Sequence, residues 1–125
     1  MIYGVGVDII EINRIKKSLT RFANQFEEKI FTINEINYCR SKAEPSVHFA
    51  GRFAVKEAVM KSLGKGMGQN IDWKDIEVEN IESGQPVLQI YGKCKTLFDQ
   101  LKLKKIHISI SHDKSHAVGQ AIAEQ

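Results

Sequence analysis

Cysteine is scarce in this chain. Cys39 and Cys94 stand far apart, without the paired spacing of a zinc ligand set or a disulfide framework. No run approaches the ~18 apolar residues that a membrane-spanning helix needs. The first residues, MIYGVGVD, contain no basic segment leading into a long apolar stretch, so no secretory leader is expected. These absences point to a reduced, cytoplasmic setting with no membrane partner.

Charge of one sign is also in short supply. Eighteen Lys and Arg face fifteen Asp and Glu, a net charge of +3, so any basic surface must arise from local clustering. That balance permits an acidic partner without demanding nucleic acid. Aromatic residues make up 8% of the chain and are scattered rather than interleaved with Lys and Arg, which argues against a base-stacking surface and a nucleic-acid partner. There is no internal repeat, low-complexity tract or linker. What is present is ordinary for a globular protein, 42% hydrophobic and 26% charged, and 125 residues suit one domain spanning 1–125.

The apolar spacing changes along the chain. IYGVGVDI alternates β-branched with small residues and predicts a first strand ending near Asp8. Ile12, Ile15, Leu19 and Phe22 then recur at helical spacing, and the helix they predict carries Arg14, Lys17 and Arg21 as one basic stripe. Thr32 followed by Glu35 is a capping-box pattern that opens a short helix over about 33–41. A longer helix follows from Val47 to Leu63, ended by GKGMG, whose three glycines free the backbone to approach a ligand. Two β-prone runs flank Ser83-Gly84-Gln85-Pro86 as a hairpin. GKCKTLFDQLKLK predicts a helix burying Leu97, Leu101 and Cys94, and KIHISISHDKSHAVGQAIA a second hairpin turning at 112–115. The order argues an α+β fold, a mainly antiparallel sheet packed on helices.

Four groups of residues carry candidate chemistry. In the long helix, Glu57 and Lys61 are i, i+4 neighbours beside a face of Ala50, Ala54 and Ala58, with Arg52 and Lys56 on another arc expected to meet solvent. The pair reads either as a surface ion pair worth ~0.3–0.5 kcal/mol or as charge placed where small residues leave room for a ligand. Asp8 reads either as a cap for the following helix or as a metal ligand, since Mg²⁺ takes one or two carboxylates together with phosphate oxygens and water. Ser109 to Asp113, SISHD, cannot form a hydrolase triad from adjacent residues, yet Ser111 and His112 could donate to phosphate. The stripe of Arg14, Lys17 and Arg21 reads as a solvated face or as a dock for an acidic helix.

Taken together, GVGVDIIEINRI, FAGRFAVKEAVMKSLGKG and ISISHD, in that order and at this length, resemble the bacterial holo-[acyl-carrier-protein] synthase family. This is the short, single-domain group of 4′-phosphopantetheinyl transferases. The resemblance covers essentially the whole chain; Val55 and Ser62, where alanine is more usual, are modest departures. It implies a 4′-phosphopantetheinyl transferase fold, and an enzyme of fatty acid biosynthesis that moves the phosphopantetheine arm of coenzyme A onto a serine of acyl carrier protein, releasing adenosine 3′,5′-bisphosphate. By resemblance Asp8 and Glu57 hold Mg²⁺ and, with Lys61, form the catalytic set. Arg52, Lys61, Gly64, Ser111 and His112 line the nucleotide site. Arg14, Lys17, Arg21 and Phe22 receive the carrier's acidic helix, and the protein is a homotrimer with active sites between subunits.

Overall fold

A computed structural model describes residues 1–64 and 71–125. Strand β1 (Ile2–Glu11) leads directly into helix α1 (Ile12–Ile30), followed by α2 (Ile33–Arg40) and α3 (Pro45–Ser62). A 3₁₀ turn at Trp73–Asp75 enters β2 (Ile76–Asn80), which pairs antiparallel with β3 (Pro86–Ile90). Helix α4 (Gly92–Gln100) then precedes the hairpin of β4 (Lys105–His112) and β5 (His116–Glu124). The sheet order is β1-β5-β4, all antiparallel, with β2-β3 as a separate ribbon. This is the α+β arrangement that the spacing predicts.

The capping box forms as read. The Glu35 N–H donates to Thr32 Oγ1 (3.3 Å), and the Thr32 N–H donates to Glu35 Oε1 (3.0 Å). Helix α3 is the organising element, with a core on each side. Val55, Val59 and Leu63 pack with Ile76, Val78, Cys94 and Ile106, while Phe49 and Ala50 pack with Ile12, Ile15, Phe31 and Cys39. Leu97 and Leu101 are only partly buried against the first of these cores.

The glycines of β1 explain why the helix lies where it does. Gly4, Gly6, Asp8 and Ile10 share the face turned to α3, because successive side chains of a strand point to opposite sides. A Cβ on Gly6 would collide with the Ala58 carbonyl oxygen, and one on Gly4 with that of Ser62. On β5, Gly119 meets the backbone of Ala54 and Val55 in the same way. The small-residue face of α3 is therefore filled by two strand backbones, and does not leave room for a ligand as the sequence suggested.

Three further expectations need correction. Strand β1 continues past Asp8 to Glu11, since Asp8 still pairs with Gly119 and the ladder runs on to Glu11 against His116. Asp8 is therefore not the cap of α1; that position is Glu11, which makes no side-chain cap bond. Arg52 and Lys56 do not face solvent: both are buried, Lys56 completely, because α2 and β2 cover that arc and supply partners. Burial pushes the Lys56 ammonium below its usual range, and Glu35 beside it opposes that shift. Beyond Gly64, the glycine run read as a ligand approach lies outside the described residues. Gly64 itself has φ +73° and follows the last turn of α3, the left-handed stop that favours glycine.

The two kinds of glycine should respond differently to alanine. Gly6→Ala drives a methyl into a carbonyl and is expected to cost about 3 kcal/mol or more in denaturant unfolding. Gly64→Ala meets open space, and the cost of its backbone conformation alone is about 1 kcal/mol.

Candidate active site

Because β1 and α3 touch through glycine and alanine, side chains at the edge of the seam meet directly. Lys61, in the last turn of α3, donates to the Val7 carbonyl (3.1 Å) and to Asp8 Oδ1 (3.2 Å). Glu57, one turn earlier, is half-buried next to Asp8. Its carboxyl is pushed above its usual range, first by burial and then by the negative charge of Asp8, with Lys61 pulling the other way. The structure thus brings Asp8, Glu57 and Lys61 into one cluster from elements about fifty residues apart.

The donor set suits a hard divalent cation. Two carboxylates are held close although their charges repel, and one lysine compensates them only in part. Among the described residues no third His, Cys, Asp or Glu joins a group able to hold a metal. Two carboxylates with the remaining positions open to water and phosphate oxygens is the pattern of a Mg²⁺ site rather than a closed protein cage.

The other candidates divide into two places. Arg52 is buried; its guanidinium donates to Asn80 Oδ1 (2.5 Å), lies over the Tyr38 ring (4.1 Å to the centroid) and leaves Nε without a partner. His112, on the inward face of β4, lines a small cleft of about 180 Å³ with Arg52, Tyr38, His48 and Asn80. Burial, then Arg52, Lys42 and His112, push the His48 imidazole below its usual range, and Arg52 is the permanent cation among the lining residues. Ser111 does not join it. It pairs with Val118 on the opposite face of the sheet, because adjacent residues of a strand diverge, so one subunit does not bring Ser111 and His112 to one site. Gly64 stands exposed at the end of α3. Asp113 accepts from the N–H groups of Ser115 (2.8 Å) and His116 (2.7 Å), and these bonds hold its carboxyl below the usual range. They explain the aspartate of SISHD as a turn former.

The basic stripe is a surface feature. Arg14, Lys17, Arg21 and Phe22 line one shallow groove along α1 with Glu11 and Ser18. Phe22 is half exposed, with the Arg21 guanidinium over its ring (5.3 Å). Sequence reading missed Tyr38, His48 and Asn80 as lining residues. They carry no local signal, and only the packing of α2 and the β2–β3 turn beside α3 assembles them.

A carboxyl whose folded-state titration lies above its unfolded value costs stability once ionised; the cost is absent at low pH and grows as pH rises through the shifted range. Glu57→Gln is therefore expected to raise the melting temperature of the metal-free protein at pH 7. The gain should vanish as pH falls through that range. Mg²⁺ should raise the melting temperature of the parent and leave the variant unmoved.

Residues 4–121 match the 4′-phosphopantetheinyl transferase superfamily. The chain is 42% identical over 124 residues to the holo-[acyl-carrier-protein] synthase of Syntrophus aciditrophicus, covering 99% of this chain and 97% of the relative. Its structure is similar to that of a holo-(acyl-carrier-protein) synthase from Bacillus anthracis in complex with CoA (3′,5′-ADP), with a TM-score of 0.83, 39% identity, and coverage of 100% of this chain and 98% of the other. The corresponding synthase from Neisseria meningitidis aligns with a TM-score of 0.92 at 26% identity, covering 100% of both chains. Sequence, fold and the clustered Asp8, Glu57 and Lys61 agree, and the chain belongs to the 4′-phosphopantetheinyl transferase superfamily.

Proposed function

We propose that this chain, acting as one domain over residues 1–125 in the cytoplasm, transfers the 4′-phosphopantetheine group of coenzyme A to a serine of apo-acyl carrier protein. The products are holo-acyl carrier protein and adenosine 3′,5′-bisphosphate. The observation that carries this reading is the meeting of Asp8, Glu57 and Lys61 at the β1–α3 seam, in a chain that matches the family from end to end. Asp8 and Glu57 would hold Mg²⁺, which supplies charge neutralisation to the pyrophosphate oxygens when bound.

The chain's own residues do the rest. The carrier's serine oxygen forms a bond to the phosphorus that bears the pantetheine arm, and the bond from that phosphorus to the bridging oxygen of adenosine 3′,5′-bisphosphate breaks. Negative charge builds on the departing phosphate. Lys61 spends two of its three donors on Val7 and Asp8, which leaves one for that phosphate. The serine proton leaves to solvent water as the bond to phosphorus forms. The Arg52 and His112 cleft, with its buried guanidinium, suits a further phosphate of the nucleotide. Gly64 lets the nucleotide come close to the end of α3.

Two surfaces complete the reading. Acyl carrier proteins are acidic, and Arg14, Lys17 and Arg21 with Phe22 offer a basic strip with one apolar contact. The outward face of β1 exposes Tyr3, Val5, Val7 and Ile9, next to Val118 and Ile122 of β5, an apolar sheet face of the kind that oligomers cover. We place the homotrimer contact there. It would bring Ser111, on that same face, to a neighbouring subunit's site.

Incubation with coenzyme A, Mg²⁺ and apo-acyl carrier protein should add the mass of a phosphopantetheine arm to the carrier. Asp8→Asn and Glu57→Gln should each abolish the gain while keeping the native circular dichroism spectrum; no gain with the parent protein overturns the function. Arg14→Ala should raise KM for the carrier about tenfold, flatten its salt dependence, and spare KM for coenzyme A. Val7→Glu should convert a trimer to monomers in sedimentation; a monomeric parent contradicts the proposed contact.

A further inference from the structure

The seam between α3 and the three-stranded sheet is made of Gly4, Gly6 and Gly119 against Ala54, Ala58 and Ser62. Such a surface fixes how near the helix lies. It presents few protruding side chains to oppose rotation of the helix about its axis or sliding along it. The groups that do so sit on the other side of α3.

Lys56 is completely buried and donates to the carbonyl oxygens of Trp73 (3.0 Å) and Ile76 and to Glu35 Oε1 (2.8 Å), which employs all three ammonium donors. Glu35, equally buried, accepts from the backbone N–H groups of Thr32 (3.0 Å) and Val78 (2.9 Å). One side chain of α3 is thereby tied to the start of α2, to the 3₁₀ turn and to β2. None of these bonds involves Asp8, Glu57 or Lys61. Phe53, one turn earlier, stacks on Trp73 (5.1 Å between centroids), and Arg52 reaches Asn80, so the same arc is held at a second level.

A buried ion pair is a poor means of adding stability, since apolar side chains of similar volume serve as well or better. Three directional bonds from one ammonium are a good means of fixing an angle. We propose that Lys56 is a positioning residue for the transfer reaction: by fixing the rotation of α3 from the side away from the sheet, it holds the next residue, Glu57, against Asp8. The role rests on the reading of Asp8 and Glu57 as the metal ligands.

The test is the double variant Lys56→Met with Glu35→Gln, which removes both charges, leaves no large cavity and keeps an acceptor for the Val78 N–H. It is compared with the parent at a temperature where circular dichroism shows both fully native. The expected result is a kcat lower by about 10- to 100-fold, the range a displacement of about 1 Å produces. KM for coenzyme A should stay within about threefold. Mg²⁺ affinity, read by calorimetry, should fall by about tenfold. A role in stability alone would lower the melting temperature and move none of these. Native variant protein with kcat and Mg²⁺ affinity close to the parent's overturns the proposal. So does a variant with no native spectrum at any temperature, which would show the pair to be needed for folding rather than for aim. A parent that modifies no carrier would overturn the function instead, and the Mg²⁺ titration would then still decide the role of Lys56.

Discussion

The contact on which the rest depends is the one between backbones at the β1–α3 seam, where the carbonyls of Ala58 and Ser62 occupy the space a side chain on Gly6 or Gly4 would need. An ordinary helix-on-sheet packing keeps an intervening layer of side chains. Here that layer is missing, so groups at its edge come within hydrogen-bond reach. Lys61 touches both the backbone and a side chain of β1, and Glu57 feels the charge of Asp8, for this reason alone. The carboxylates owe their proximity to glycines that carry no chemistry.

Holding them together works against stability. Two partly buried carboxylates raise each other's energy, and one lysine bonded to one of them relieves only part of it. Such local strain is the ordinary companion of a binding site, since a group already satisfied within the protein has nothing left for a ligand. The contrast with Lys56 and Glu35 is instructive. That pair is buried more deeply, yet every donor of the ammonium is matched. Glu35 and Glu57 thus have opposite environments, and the one short of partners is the one facing a strand edge.

Much of this was legible in the sequence, and the remainder has physical reasons for being hidden. Thr32 and Glu35 announced the start of α2 because a capping box is a local interaction. The alternation in β1 and β4 marked those strands because a half-buried strand must alternate. Glu57 drew attention for a reason that proved wrong: its alanine neighbours accommodate strand backbones, not a ligand. Arg52 and Lys56 were misplaced at the surface because helical spacing shows which residues share an arc, not what covers it. The partners of Lys56 come from α2, the 3₁₀ turn and β2, and nothing in PSVHFAGRFAVKEAVMKS points to them. The divergence of Ser111 and His112 could have been read from the strand period, once β4 was known to run through both.

The proposed transfer requires that the pyrophosphate of coenzyme A meet a divalent cation held by Asp8 and Glu57. It is tested most directly by replacing Mg²⁺ with paramagnetic Mn²⁺ and following the ³¹P relaxation of bound coenzyme A. Strong broadening of the two pyrophosphate resonances is expected with the parent protein, and its loss with Asp8→Asn. Equal broadening in parent and variant, or none in the parent, would contradict it.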